Sequence, residues 1–352
     1  MTSSATSMTD DVFLQKAQQY SAMVDDRLAE IIAAEAPIPN LHEGLTYALG
    51  LDIADRAARG KRLRPVLGLM TAEALGADPR LALPFACAIE LMHNFALVHD
   101  DIEDGDEIRR NRPTVWKRYG LAHGVNIGDY FFCKVISILM EPERLIPGMA
   151  ISPNLQLRLL RLMSATLDHT HHGQAMDINA RADRAFTMEK YMRLVRAKTG
   201  HYLAAPMIGG AMVAGAEQGV LDALSDFGHA IGPMFQIKDD LLDLTAGKGR
   251  GGIIGNDIKE GKRSFLVAEA TTRLGDENRE RLYTILDKPR SETSSDDIAW
   301  VVQAFDKCGA LDAAEKRCGE LLVQGLEALQ RMPPRLHEML TVASELMAKR
   351  TT

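Results

Sequence analysis

Apolar residues recur at three- and four-residue spacing along most of the chain, the period of a helix buried on one face. The spacing predicts helices over residues 13–34, 41–58, 63–75 and 80–104, then 115–140, 155–167, 171–182, 188–214 and 220–244. From 264 to 348 helical stretches alternate with turns, among them Asp287-Lys288-Pro289 and Met332-Pro333-Pro334. No run of alternating β-branched residues argues for a sheet. The expected fold is therefore all-α, one domain over residues 12–350. Residues 1–11, polar and rich in Ser and Thr, are expected to be a disordered tail. The segment 146–154, with two prolines and a glycine, reads as a connection inside the bundle.

Composition narrows this picture. Of 352 residues, 46% are hydrophobic and 25% charged, enough to bury a sizeable core, and only 5% are aromatic, which favours helices over sheets. The net charge of −7, with no long basic run, argues against a general nucleic-acid partner. Cys87, Cys133, Cys308 and Cys318 show no CxxC spacing and read as reduced thiols of a cytoplasmic protein. The start lacks the apolar core of a signal peptide. The longest uncharged apolar stretch, 203–216, is interrupted by Pro206, Gly209 and Gly210 and is too short for an ordinary membrane span.

Two distant helix-like runs end in the same carboxylate pattern, Asp100-Asp101-Ile102-Glu103-Asp104 and Asp239-Asp240-Leu241-Leu242-Asp243. A helix turns about 100° per residue, so the first and last Asp of each copy share a face. Clustered carboxylates repel one another unless a cation offsets them. Hard ions such as Mg²⁺ favour oxygen and take remaining ligands from phosphate. The pair suggests a diphosphate cage; a solvated acidic helix end is the plainer alternative for either copy alone.

Further residues fit an anionic ligand. Gly60-Lys61-Arg62-Leu63-Arg64-Pro65 gathers cations at a helix start, where free N–H groups welcome an anion. Arg109-Arg110-Asn111-Arg112-Pro113-Thr114 follows the first cluster directly, Asp177 closes Gly173-Gln174-Ala175-Met176-Asp177, and Lys198-Thr199 stands within a helical run. His93 lies two turns before Asp100 on the same face. After the second cluster, glycines at 247, 249, 251, 252, 255 and 261 are interspersed with Lys248, Arg250 and Lys259, with Lys262 beyond, as in a basic lid.

In this order the residues resemble the trans-isoprenyl diphosphate synthases, head-to-tail prenyltransferases, over roughly residues 30–330. The resemblance implies an all-α bundle around a deep central cavity, usually a homodimer. It implies an allylic diphosphate bound through about three Mg²⁺ ions (Mn²⁺ a possible substitute). Asp100, Asp104 and Asp239 hold them most directly, Asp101, Asp240 and Asp243 complete the motifs, and Asp177 supports them. Arg109, Lys198, Lys262 and Lys248 would neutralise that diphosphate, while Thr199 and Gln236 resemble residues whose oxygens face an allylic cation. Isopentenyl diphosphate would be held without metal by Lys61, Arg64, His93 and Arg110. Two departures stand out: Gly252 occupies the position of a usual Lys, and Asn111 that of a frequent Gly.

Product length in this family depends on bulk upstream of the first cluster, here Phe95, Ala96 and Met92. On a wheel Ala96 lies about 40° and Phe95 about 140° from Asp100. An aromatic only at the farther position resembles geranylgeranyl (C20) synthases; farnesyl (C15) and longer products (C25 and above) are the alternatives. A class I terpene cyclase and a non-catalytic regulatory subunit are the other readings, disfavoured by two intact Asp motifs and the Lys61, Arg64 and His93 set.

Overall fold

Helix α1 (Asp10–Ala33) opens where Thr9 accepts the Val12 N–H and Asp10 and Asp11 meet the positive end of the helix dipole. Asp10 and Asp11, expected to belong to the tail, are thus helical. The computed structural model describes residues 8–245 and 254–349, so residues 1–7 of that tail lie outside it. The chain divides into two compact units. One comprises Met1–Ala165, Ala205–Leu224 and Leu329–Ala343, the other Thr166–Ala204, Ser225–Ala328 and Ser344–Thr352.

The first unit holds α1, α2 (Leu41–Ala48), α3 (Leu63–Ala74), α4 (Leu83–Glu103), α5 (Val115–Tyr119), α6 (Leu121–Met140) and the start of α7 (Pro153–Ala180). Its core centres on α4, whose Phe85, Cys87, Ile89, Leu91 and Met92 are nearly or fully buried and which packs on α1, α3 and α6. The stretch Pro79–Glu103 is long and apolar enough to cross a membrane, but 78% of its apolar window is buried within the protein, as in a core helix. The helix expected over 41–58 ends at Ala48, ahead of Gly50 at φ +70°. The run 115–140 breaks at Gly120, and the runs 155–167 and 171–182 are one helix, α7.

One small sheet was not legible from β-branched patterning. β1 (Ile108–Arg109) pairs antiparallel with β2 (Arg112–Pro113), and Arg110 and Asn111 turn the chain with φ of +52° and +61°. Two consecutive left-handed residues define the two-residue hairpin turn, where Asn is favoured alongside Gly. That explains Asn111 at a position where glycine is frequent.

Arg62 ties this unit together. Its backbone is left-handed (φ +45°), and its guanidinium is 1% exposed. Nε donates to Asp25 Oδ1 at 2.8 Å, one terminal nitrogen to Glu90 Oε1 at 2.6 Å and the other to the Leu49 carbonyl at 2.5 Å. Asn94 Nδ2 donates to the same Glu90 oxygen at 3.0 Å. One side chain thus joins α1, the end of α2 and α4.

The second unit holds the remainder of α7, α8 (Met188–Val195), a π-helical turn (Arg196–Gly200), and α11 (Asn256–Lys259) through α14 (Ser295–Lys307). α12 spans Phe265–Arg273 and α13 Asp276–Leu286. The first residues of α9 (His201–Val213), most of α10 (Gln218–Asp243) and α15 (Ala310–Leu329), and the end of α16 (Pro334–Ala348) also belong to it. The expected helix 188–214 is continuous, but the π turn inserts at Lys198-Thr199.

Removing Arg62 takes the 2.6 Å cation from Glu90 and leaves Asp25 the longer contact to Arg59 at 3.4 Å, a loss typically worth about 3–5 kcal/mol. Urea unfolding of Arg62→Leu should show a loss of that size, and a loss below about 1 kcal/mol would contradict the role assigned to this arginine.

Candidate active site

Both Asp clusters fall at helix C-termini. In the first, α4 ends at Glu103 with Asp104 as its cap. Gly105 then turns left-handed (φ +66°), and the Gly105 and Asp106 N–H groups donate to the Ile102 and Asp101 carbonyls. This is a Schellman ending, and it lays carboxylates on the negative end of the helix dipole. The cost is met unequally within the cluster. Asp101 is buried (3% exposed) and accepts Arg109 Nε at 2.6 Å, while Trp116 Nε1 donates to the Asp101 carbonyl at 3.0 Å. Burial pushes the Asp101 carboxyl up to about 6 against the pull of Arg109. Asp100 and Asp104, on the shared face, remain half-exposed.

The residues expected to hold isopentenyl diphosphate lie in the same unit. Arg64 stands in the first turn of α3, ahead of Pro65, and Lys61 is exposed just before it. Arg110, at the hairpin tip, donates to the Arg59 carbonyl at 3.0 Å, so close to Gly60 that a Cβ there would come within 3.0 Å of its guanidinium. His93 lies within the field of Arg64, Arg110 and Arg109. Burial, reinforced by those cations, holds its imidazole far below the usual range, so it is neutral at physiological pH. A neutral imidazole among arginines donates one hydrogen bond and adds no charge.

The second cluster repeats the division. α10 ends at Asp243, and its second carboxylate, Asp240, is a buried hub (2% exposed). Asp240 accepts from Tyr191 Oη at 3.1 Å, Gln236 Nε2 at 3.1 Å, the Phe265 N–H at 3.2 Å and Lys262 Nζ at 3.3 Å. Burial raises its carboxyl and Lys262 opposes the rise. Asp243 Oδ2 accepts the Asp257 N–H at 3.0 Å, capping α11, and Lys262 Nζ also reaches Asp257 at 3.1 Å. Asp239 is half-exposed. The sequence does not single out Tyr191, and it brings in Asp257 only as the Asp of the family pattern from which the Lys position at Gly252 is counted.

Lys198 Nζ donates to Asp177 at 2.7 Å, and Thr199 Oγ1 donates to Gln236 Oε1 at 3.4 Å. Burial works to raise the Asp177 carboxyl, yet Lys198 and Lys262 outweigh it and hold it below the usual range. The π turn places adjacent Lys198 and Thr199 on these partners, an irregularity typical of functional positions. Two glycines make room for it. A Cβ on Gly173 would lie 2.4 Å from the Lys198 nitrogen, and one on Gly232 would lie 2.6 Å from the Gly200 Cα.

Of the length-setting candidates, Met92 is fully buried and Ala96 half-buried. The Phe95 ring packs on His99 and Phe132, with centroids 4.8 and 5.6 Å away, on the side of α4 that faces α6. Lys248 and Gly252 lie outside the described residues.

The Polyprenyl synthetase family model matches residues 52–305. The chain belongs to this family. Prenyl diphosphate synthases are transferases, and the chain is a prenyltransferase by membership. It is 34% identical over 301 residues to the short chain isoprenyl diphosphate synthase of Methanothermobacter thermautotrophicus, covering 84% of this chain and 86% of the relative. The structure of geranylgeranyl pyrophosphate synthetase from Pyrococcus horikoshii superposes with a TM-score of 0.84 at 28% identity, over 97% and 99% of the two chains. A geranylgeranyl pyrophosphate synthase from Corynebacterium glutamicum, solved with isoprenyl diphosphate and magnesium, gives 0.76 at 25% identity over 97% and 98%. Further relatives are named farnesyl, geranylgeranyl and geranylfarnesyl diphosphate synthases, so likeness leaves product length open. The oxygen-only donor set of the two clusters fits the magnesium that this relative carries.

A methyl group at Gly173 would push the Lys198 backbone out of place. Gly173→Ala should retain its helical circular dichroism and lose about 10²-fold in kcat, the cost of an ångström-scale misplacement. Unchanged kcat would show that the close approach does not position Lys198.

Proposed function

We propose that this chain condenses isopentenyl diphosphate head-to-tail with an allylic diphosphate, yielding geranylgeranyl diphosphate (C20). The observation that carries this reading is the repeated cluster. In both copies the second Asp is buried among protein donors, while the first stays half-exposed on the motif face. Such an arrangement serves a hard cation between carboxylate and phosphate, and the family supplies the reaction.

In the proposed mechanism Asp100, Asp104 and Asp239 would hold Mg²⁺, with Asp177 in support. When bound, the ions would offset the charge on the departing pyrophosphate. Lys198, Lys262 and Arg109 neutralise the same diphosphate, so the allylic C–O bond can break with the electron pair leaving on oxygen. Thr199 and Gln236 turn oxygen dipoles toward the resulting cation. Lys61, Arg64, Arg110 and neutral His93 hold isopentenyl diphosphate by charge and hydrogen bonds. Its double bond attacks the allylic carbon, and the proton lost in forming the new double bond goes to released pyrophosphate. The chain therefore needs no base of its own.

Small Ala96, nearer the Asp100 face than Phe95, supports a C20 product. We also propose a homodimer through α6, where Leu121, Val125, Phe132, Ile136 and Met140 form an apolar stripe 38–57% exposed. A stripe of this kind marks an interaction face.

Purified protein with Mg²⁺, isopentenyl diphosphate and each allylic primer should give a C20 diphosphate by chromatography. Excess EDTA should abolish it, and Ala96→Phe should shorten it by at least one C5 unit. A hydrocarbon product would point to a cyclase, and no product without a partner to a regulatory subunit. An unchanged product from Ala96→Phe would remove that residue from the length-setting role.

A further inference from the structure

Three histidines of the second unit converge outside the residues used above. His169 stands on α7, His201 opens α9 directly after the π turn, and His229 lies on α10. The His201 and His229 Nε2 atoms are 3.1 Å apart, and the His169 and His201 rings stack with centroids 3.8 Å apart and planes 5° from parallel. Sequence reading passed over them, although His169 belongs to the run Asp168-His169-Thr170-His171-His172. Histidine-rich tracts of this kind recur in metal binding.

We propose that His201 and His229, with His169 as a third donor, bind a borderline-soft divalent cation of the zinc, nickel and copper class at a site separate from Asp177 and the second Asp cluster. Two nitrogens on one tetrahedral ion at bonds of about 2.0 Å lie roughly 3.3 Å apart, close to the separation present here. Imidazole nitrogen suits this class, whereas Mg²⁺ favours oxygen. His169 joins by a side-chain rotation that turns a ring nitrogen from the stack toward the pair.

All three histidines are half-exposed residues, at the border between core and solvent. The site is distinct by chain geometry. Ten residues of α10 separate His229 from Asp239 and eight of α7 separate His169 from Asp177, about 15 and 12 Å at helical rise.

The surrounding charges act in both directions. Arg196 disfavours a cation at His229, Asp226 favours it, and Ser225 Oγ approaches His229 Nδ1 at 3.5 Å and can fix the tautomer. His172 Nδ1 lies 3.5 Å from Asp168 Oδ2 on α7, and at about 100° per residue Asp168 projects to a different side of the helix from His169. Burial, with the neighbouring imidazoles, lowers the His201 imidazole to about 4, so a metal ion meets no competing proton there at neutral pH. Gly200, the last residue of the π turn, lies against the His229 ring, with a would-be Cβ 3.3 Å from its Cδ2. A bound ion would therefore brace the turn that carries Lys198 and Thr199.

The test uses untagged full-length protein in excess Mg²⁺, titrated with Cu²⁺ and read by electron paramagnetic resonance. One equivalent should show nitrogen coupling from at least two imidazoles. The double variant His201→Gln, His229→Gln should lose that coupling and bind at least about tenfold more weakly. A spectrum without nitrogen coupling, or one unchanged in the double variant, would overturn the site and leave a hydrogen-bonded imidazole clamp. A second reading needs no variant. In ¹⁵N-imidazole spectra one equivalent of Zn²⁺ should shift the His201 and His229 resonances, and shifts confined to His171 and His172 would equally overturn it.

Discussion

Each Asp cluster sets negative charge on the negative end of a helix, and the surrounding structure answers that cost. The dipole at a helix C-terminus disfavours carboxylates by roughly 0.3–1 kcal/mol each, and neighbouring carboxylates add repulsion. Part of the charge is met inside the protein: Arg109 holds Asp101, and Lys262 with three neutral donors holds Asp240. These buried residues fix the helix ends, and in the proposed mechanism a hard cation and its diphosphate meet the remaining charge.

The second cluster shows why its supporting residues come from far along the chain. Tyr191 from α8, Gln236 from α10, and Lys262 and the Phe265 N–H near the start of α12 converge on one carboxylate. A deviation in any of these elements would leave a buried acceptor unsatisfied, typically at about 1–3 kcal/mol. The π turn extends the same network through Thr199 and Gln236. A regular α-helical turn would shift the register that sets Lys198 on Asp177.

Much of this was legible in the sequence. The 3.6-residue period located nearly every long helix, and the paired Asp patterns with their flanking cations pointed to the family. What escaped was set by tertiary contact or by single backbone conformations. The hairpin at Arg110-Asn111 has strands of two residues, too short for any alternation to register, although its left-handed Asn was noticed as an oddity. The π turn leaves no periodic trace, because one inserted residue hardly disturbs an apolar run. Arg62 looked like one more cation in a basic helix start, yet it is buried between Asp25 and Glu90, acids from two distant helices. Adjacent Asp239 and Asp240 differ in burial, which spacing alone does not reveal.

The most direct measurement compares those two neighbours by thermal unfolding with and without Mg²⁺ and inorganic pyrophosphate. Asp240→Asn should melt lower than the parent under both conditions, because its lysine and hydroxyl partners lose their buried carboxylate. Asp239→Asn should melt like the parent without ligand and lose most of the stabilisation that Mg²⁺ and pyrophosphate confer. If Asp239→Asn kept the full ligand-induced shift, or if both variants were destabilised alike without ligand, the division between anchoring and cation-holding carboxylates would be wrong.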